Sequence, residues 1–163
     1  MTETLRASDL RSDFRDAMSC VAGSVSVVTT SAGGRPYGTT VTAFVSLSMD
    51  PPIILVSLAR TSSLLAQVED RARLGVNVLA ADKAGVAAQF SRRGVDRFAG
   101  VTWREVHGAP ILSGVHAWAA VEVSRTIEAG DHVLLLGEVL AAHGGEGSPL
   151  TYWRRGYGTH RPV

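Results

Sequence analysis

Two long runs rich in β-branched and aliphatic residues, Ala117–Ile127 and His132–Ala142, are separated only by Glu128-Ala129-Gly130-Asp131. A connector that short cannot carry the chain back to the start of a parallel neighbour, so the two runs must pair as an antiparallel hairpin. The arrangement recurs upstream. Ser24–Ser31 reads as a strand, Ala32-Gly33-Gly34-Arg35-Pro36 as a turn and Tyr37–Phe44 as the return strand. After the break at Asp50-Pro51-Pro52, Ile53–Leu58 is a wholly apolar strand. Leu74–Leu79 alternates as a further strand, and Pro149–Trp153 is a last short one. Residues 1–7 read as a loose terminus. Beyond them Leu10, Phe14 and Met18 recur at four-residue spacing, with Asp9 at the dipole-favoured end, which predicts a helix over 9–19. Thr61-Ser62-Ser63 reads as an N-cap cluster ahead of Leu64, Leu65 and Val68. Asp82 reads as the cap of a short helix carrying Val86, Ala87 and Phe90, and 91–113 as irregular. Six or seven strands that do not alternate with helices argue against a doubly wound parallel sheet. They predict one mainly-β domain over 1–163, an antiparallel barrel with peripheral helices.

Charge and motif content narrow the function. Lys+Arg 16 against Asp+Glu 15 leaves no basic footprint for nucleic acid and no acidic tail. The single Cys20 excludes an intramolecular disulfide framework and a multi-cysteine metal site, and reads as a small buried hydrophobe. His107, His116, His132, His143 and His160 lack ligand spacing, so no metal site is expected. No apolar run is long enough for a membrane span. The polar opening lacks the apolar core of a signal peptide, so a soluble cytoplasmic protein is the expectation. Gly33–Gly38 is the nearest approach to a dinucleotide fingerprint, but it joins two strands where the fingerprint joins a strand to a helix. There is no P-loop and no Gly-x-Ser-x-Gly elbow, so hydrolase chemistry has no support.

Four segments, 25–58, 62–91, 96–103 and 130–139, carry a further pattern. Gly38-x-Thr40-x-Thr42-Ala43-Phe44 is followed by Ser46-Leu47-Ser48-x-Asp50-Pro51-Pro52, and Gly130-Asp131-His132 by Gly137-Glu138-Val139. In this order and spacing the chain resembles the short-chain NAD(P)H:flavin reductase family over about residues 12–158. The resemblance implies the FMN-binding split-barrel fold, a homodimer, and the role of small component in a two-component monooxygenase that receives reduced flavin by diffusion. FAD or FMN is the implied flavin and NADH, rather than NADPH, the favoured donor. A non-catalytic flavin or haem carrier on the same barrel is the alternative.

A flavin needs apolar faces and a few directed donors at its pyrimidine edge and phosphate tail. Gly38 would let the backbone approach closely. Thr39, Thr40 and Thr42, with the main chain of Val41 and Ala43, would meet the ring edge, unless they are ordinary strand threonines. Ser57, Ala59, Arg60, Thr61, Ser62 and Ser63 would serve the ribityl-phosphate, although a simple helix cap would use the same free N–H groups. By resemblance Phe90, Arg92 and Arg97 lie near the flavin's tail or adenylate end. His132 lies on the nicotinamide side, or is only a hairpin histidine. Tyr152, Arg154 and Tyr157 help hold the dinucleotide, or form a solvated tail.

Overall fold

The computed structural model describes residues 7–163, so the expected loose terminus lies almost wholly outside the described residues. The fold is mainly β. A seven-stranded antiparallel sheet has the order β3-β2-β6-β9-β10-β5-β4, from β2 (Ser26–Ala32), β3 (Arg35–Val41), β4 (Phe44–Met49), β5 (Pro52–Ala59), β6 (Arg73–Val78), β9 (Ala117–Ala129) and β10 (His132–Gly144). β1 (Gly23–Ser24), β11 (Leu150–Trp153) and β12 (Gly156–Thr159) form a small flanking sheet, and β7 (Trp103–Val106) pairs with β8 (Ala109–Leu112). The helices are α1 (Ala7–Ser19) and α2 (Ala84–Ser91).

The order of the large sheet determines its shape. β3 and β4 are consecutive in the chain, joined by Thr42 and Ala43 alone, yet they are its two edges. In a flat sheet those edges would stand roughly 28 Å apart, six strand spacings. The links from Val41 to Phe44 reach about 11 Å at most. The sheet therefore curls until its edges meet at Thr42-Ala43. The two edges share no ladder, and the backbone N–H of Ser57 donates to the carbonyl of Ala43 at 2.9 Å instead. The result is an antiparallel barrel with one open seam, a split barrel.

β2 is buried on both faces. Val28 joins Val56, Leu58, Leu74, Val76, Val121 and Leu135 in one core cluster. Its neighbour Val27 points the other way, into a second cluster with Val25, Leu79, Ala87, Phe90, Leu112 and Leu150. Two buried polar groups fasten β8 to this wall. Asn77 donates to the Val27 carbonyl at 3.0 Å and accepts the Leu112 N–H at 2.8 Å, while Thr29 donates to the Pro110 carbonyl. No helix among the described residues is long and apolar enough to cross a membrane.

Several local expectations are corrected. Tyr37–Phe44 is not one strand, because the chain bends at Thr42-Ala43 to cross the seam. The Thr61-Ser62-Ser63 cluster does not cap an α-helix. Ser62 Oγ accepts the Leu64 N–H at 3.3 Å, and only a 3₁₀ turn, Leu65–Gln67, follows. Lys83, not Asp82, precedes α2, and no side chain caps it. The stretch expected to be irregular contains the β7–β8 hairpin, turned by His107 and Gly108 at positive φ. The tail folds back as β12 through Arg154 and Arg155, both at positive φ. Cys20 is exposed, because it follows the solvent-facing end of α1.

Gly38 is also reinterpreted. It is buried, and a Cβ there would lie 2.7 Å from Phe90 Cε1 and 3.2 Å from the Thr29 methyl. The missing side chain makes room for Phe90 of α2, itself fully buried and edge-on to Phe98 at 4.9 Å. Gly38→Val is thus expected to lower stability by about 1–3 kcal/mol through overpacking. Chemical denaturation would check this; an unchanged midpoint would show that α2 yields freely.

Candidate functional site

The open seam shapes a cavity of about 550 Å³. One wall is the end of β3 and the bend, Thr39, Thr40, Val41, Thr42 and Ala43. The facing wall is the end of β5 with the loop after it, Ser57, Leu58, Ala59, Thr61, Ser62 and Ser63. Ser91, Arg93, Gly94 and Arg97 enclose one side, and His132 lines another part of the rim. The order of these groups follows from the pairing. Arg97 reaches the β3 side, where its Nη1 donates to the Gly38 carbonyl at 2.7 Å. His132 lies opposite Ala59 in the β5–β10 ladder.

The arginine side is electropositive. Arg97 also donates through Nε to the Arg92 carbonyl at 2.7 Å, so both of its bonds go to neutral oxygens. Burial first, and then the like charge of Arg93, hold its guanidinium below the ordinary arginine value. Among the described residues neither arginine has a carboxylate partner. Nearby, the N–H groups of Thr61 and Ser63 and the hydroxyls of Thr39, Thr42, Ser57, Thr61 and Ser63 make no hydrogen bond within the described residues. Thr40 is different, since its hydroxyl donates to the Ala87 carbonyl at 2.6 Å and so anchors α2. Unpaired cations beside free donors suit an anionic tail, and Val41, Ala43, Leu58 and Ala59 give apolar surface for a flat ring. The residues present fit a flavin phosphate.

Beside the end of β5, next to the loop after it, Asp131 and His132 are joined at 2.7 Å, Oδ1 to Nδ1. The histidine hydrogen bond and charge pull the Asp131 carboxyl below the usual carboxylate range. An ionised carboxylate can only accept, so Nδ1 carries the proton and Nε2 is the ring's open edge. Arg60 does not line this cavity. Its main-chain N–H donates to the Asp131 carbonyl at 2.9 Å, its Nε to the Gly130 carbonyl at 3.0 Å and its Nη2 to Glu128 at 3.1 Å. That pairing raises Arg60 above its ordinary value and lowers Glu128. Arg60 therefore clamps the hairpin that carries His132.

Other expected residues are placed elsewhere. Phe90 and Gly38 stand behind the β3 wall, and Arg92 is exposed at the end of α2. Tyr152 and Tyr157 pack on each other at 5.5 Å, and Arg154 lies over Trp153 at 4.9 Å. Their hairpin is fastened to the end of α1 by Trp153 Nε1 to the Cys20 carbonyl, 3.1 Å, and by Arg154 N–H to the Ser19 carbonyl, 2.9 Å. Tyr152, Arg154 and Tyr157 do not line the seam cavity. Sequence reasoning missed Leu58, Ser91, Arg93 and Gly94. The Arg92-Arg93-Gly94 run was the available signal, because a glycine there lets the chain turn back over the cavity at φ +72°.

Residues 18–161 match the flavin reductase like domain family. The chain belongs to that family. It is 42% identical over 91% of its length to a protein of Rhizobium meliloti (strain 1021) described as a probable flavin reductase, but it spans only 48% of that relative. It is 32% identical, over 93% of its own length and 82% of the other's, to the reductase component of a 4-nitrophenol 4-monooxygenase/4-nitrocatechol 2-monooxygenase of Rhodococcus opacus. Among solved structures, an NADH:FAD oxidoreductase of Streptomyces globisporus C-1027 in complex with NAD and FAD fragments superposes with a TM-score of 0.88. That pair is 27% identical, with 99% of this chain and 98% of the other covered.

The clamp has a measurable consequence. In Arg60→Ala the His132 ring resonances should broaden and shift, whereas in Arg92→Ala they should stay as in the parent. Unmoved His132 signals in Arg60→Ala would show that the hairpin orients itself.

Proposed function

We propose that the chain is an NAD(P)H-dependent flavin reductase that reduces FAD or FMN, uses NADH in preference to NADPH, and releases reduced flavin to a partner monooxygenase. The observation that carries this reading is the seam cavity itself. Arg93 and Arg97 without carboxylate partners, free donors of the 61–63 loop, apolar and hydroxyl-bearing walls and the His132 imidazole paired with Asp131 line one cavity. The family membership and the names of the relatives support it.

The bound cofactors supply the redox chemistry, hydride transfer from a nicotinamide to a flavin. The protein's task is placement. Arg93, Arg97 and the 61–63 loop hold the anionic tail. The β3 and β5 walls exclude water from one ring face. His132, oriented by Asp131 and Arg60, positions the donor ring through Nε2. The cavity lies in an open seam, which would leave a bound flavin a route to solvent, as delivery by diffusion requires.

We also read the chain as a cytoplasmic homodimer. Val45, Leu47 and Met49 leave apolar side chains exposed along the edge strand β4, and Leu10 and Phe14 do so on α1. Apolar edges of this kind are ordinarily covered. Light scattering at micromolar concentration should return twice the mass of one chain; the mass of a single chain would contradict the dimer.

NADH oxidation should begin when free FAD or FMN is added to the purified protein. Bound flavin with no NADH oxidation would instead mark a carrier. His132→Ala should lower kcat/KM for NADH by about ten- to a hundredfold, since a donor ring misplaced by about 1 Å costs on that order. Flavin affinity should change little. Stopped-flow reduction of the flavin-saturated variant is the check, and parental rates would remove His132 from the nicotinamide site.

A further inference from the structure

A separate cavity of about 330 Å³ shares no lining residue with the seam cavity. Its size falls at the lower end of the small-ligand range, roughly 300–1,000 Å³. The buried Leu79 and Leu112 form its floor, and the half-buried Val86, Val101 and Val115 its sides. Both leucines belong to the core cluster under α2, and the three valines pack against that cluster. The exposed Gly100, Thr102, Ser113 and Gly114 make the rim.

Lys83 is the only charged side chain that lines this space among the described residues, and it is the only lysine of the chain. A Cβ on Gly114 would lie 3.4 Å from Lys83 Nζ, so the ammonium rests against the rim. The one carboxylate within ion-pair range of it is that of the exposed Asp82, at 3.8 Å and beyond hydrogen-bond distance. Lys83 also precedes α2, which has no side-chain cap and no acid in its first turn. A cation beside the positive end of a helix is the reverse of the favourable pairing, so an anion is favoured there. The Thr102 and Ser113 hydroxyls make no hydrogen bond among the described residues and are open to donate. Together these parts select one class of ligand. A bare inorganic anion would leave the apolar floor and sides wet. A neutral hydrocarbon would bury them but would leave the ammonium and the hydroxyls without an acceptor. A dinucleotide is larger than the space.

We propose that this cavity binds a small organic monocarboxylate, with its hydrocarbon body on Leu79 and Leu112 and its carboxylate on Lys83 Nζ. The site is distinct from the seam cavity, so the acid binds whether or not flavin is present.

Because Lys83 is the only lysine, reductive methylation with isotope-labelled formaldehyde, which keeps its charge, gives a single lysine signal by NMR. Titration of that signal with benzoate is the experiment. Benzoate should shift it saturably with a Kd of about 1 mM or tighter, and equally so in the presence of FMN. Benzamide has the same shape without the charge and should bind about tenfold more weakly or worse, because the charge-assisted bond is lost. Inorganic phosphate, which lacks the apolar body, should also bind more weakly than benzoate. In calorimetry on the unmethylated protein, Lys83→Met should weaken benzoate about tenfold or more, whereas Lys83→Arg, which keeps the cation, should stay within about threefold of the parent. The Lys83 side chain makes no hydrogen bond among the described residues, so circular dichroism and flavin titration should match the parent in both variants. Equal affinity for benzoate and benzamide, or for benzoate and phosphate, would overturn the site, as would the absence of a saturable shift. Unchanged benzoate affinity in Lys83→Met, or displacement of benzoate by FMN, would assign the acid to the seam cavity and also overturn it.

Discussion

The two-residue link Thr42-Ala43 is the constraint on which the rest of the molecule depends. It joins strands at opposite edges of a seven-stranded sheet, and the only way to satisfy its length is to roll the sheet into a barrel. Because β3 and β4 then diverge without pairing, the seam stays open along one side. The backbone groups there are left for a ligand or for isolated bonds such as that from Ser57 to Ala43. The cavity is the direct consequence of a connection too short for a flat sheet and edges that do not zip together.

Packing on both faces of β2 makes that opening tolerable. The inner face contributes Val28 to the barrel core and the outer face contributes Val27 to the cluster under α2. Asn77 and Thr29 satisfy buried polar groups that would otherwise be costly, and they fix β8 against the same wall. α2 is held to β3 by Phe90 beneath Gly38 and by the Thr40 hydroxyl on the Ala87 carbonyl. The chain leaving α2 therefore returns across the cavity with Arg93 and Arg97 in a defined place. A residue buried for packing reasons, Phe90, thus determines where the charged side of the site falls.

Hairpins were the most legible feature of the chain, because short Gly-rich connectors between β-branched runs leave only antiparallel pairing. The split barrel followed from them together with the motif resemblance. The bend at Thr42-Ala43 was not legible, since Tyr37–Phe44 is uniformly suited to a strand and the break is imposed by closure of the sheet. The β7–β8 hairpin was hidden by its Arg, Glu and Pro content, although His107-Gly108 marked its turn. In the site, both cavity walls were readable as contiguous segments. Arg60 and Gly38, expected to meet the flavin, do not line the seam cavity: one clamps the His132 hairpin and the other admits Phe90. Arg93 and Gly94 were missed because only the fold of the loop after α2 brings them over the seam.

We infer that flavin binds in the open seam between the β3–β4 bend and the end of β5. A crystal structure of the protein with its flavin bound tests this most directly. The isoalloxazine ring should lie between Thr39–Ala43 and Ser57–Ala59, with its phosphate within hydrogen-bond reach of Arg97 and the 61–63 loop and with His132 at the open ring face. A flavin bound at any other surface, with the seam filled by side chains or solvent, would contradict it.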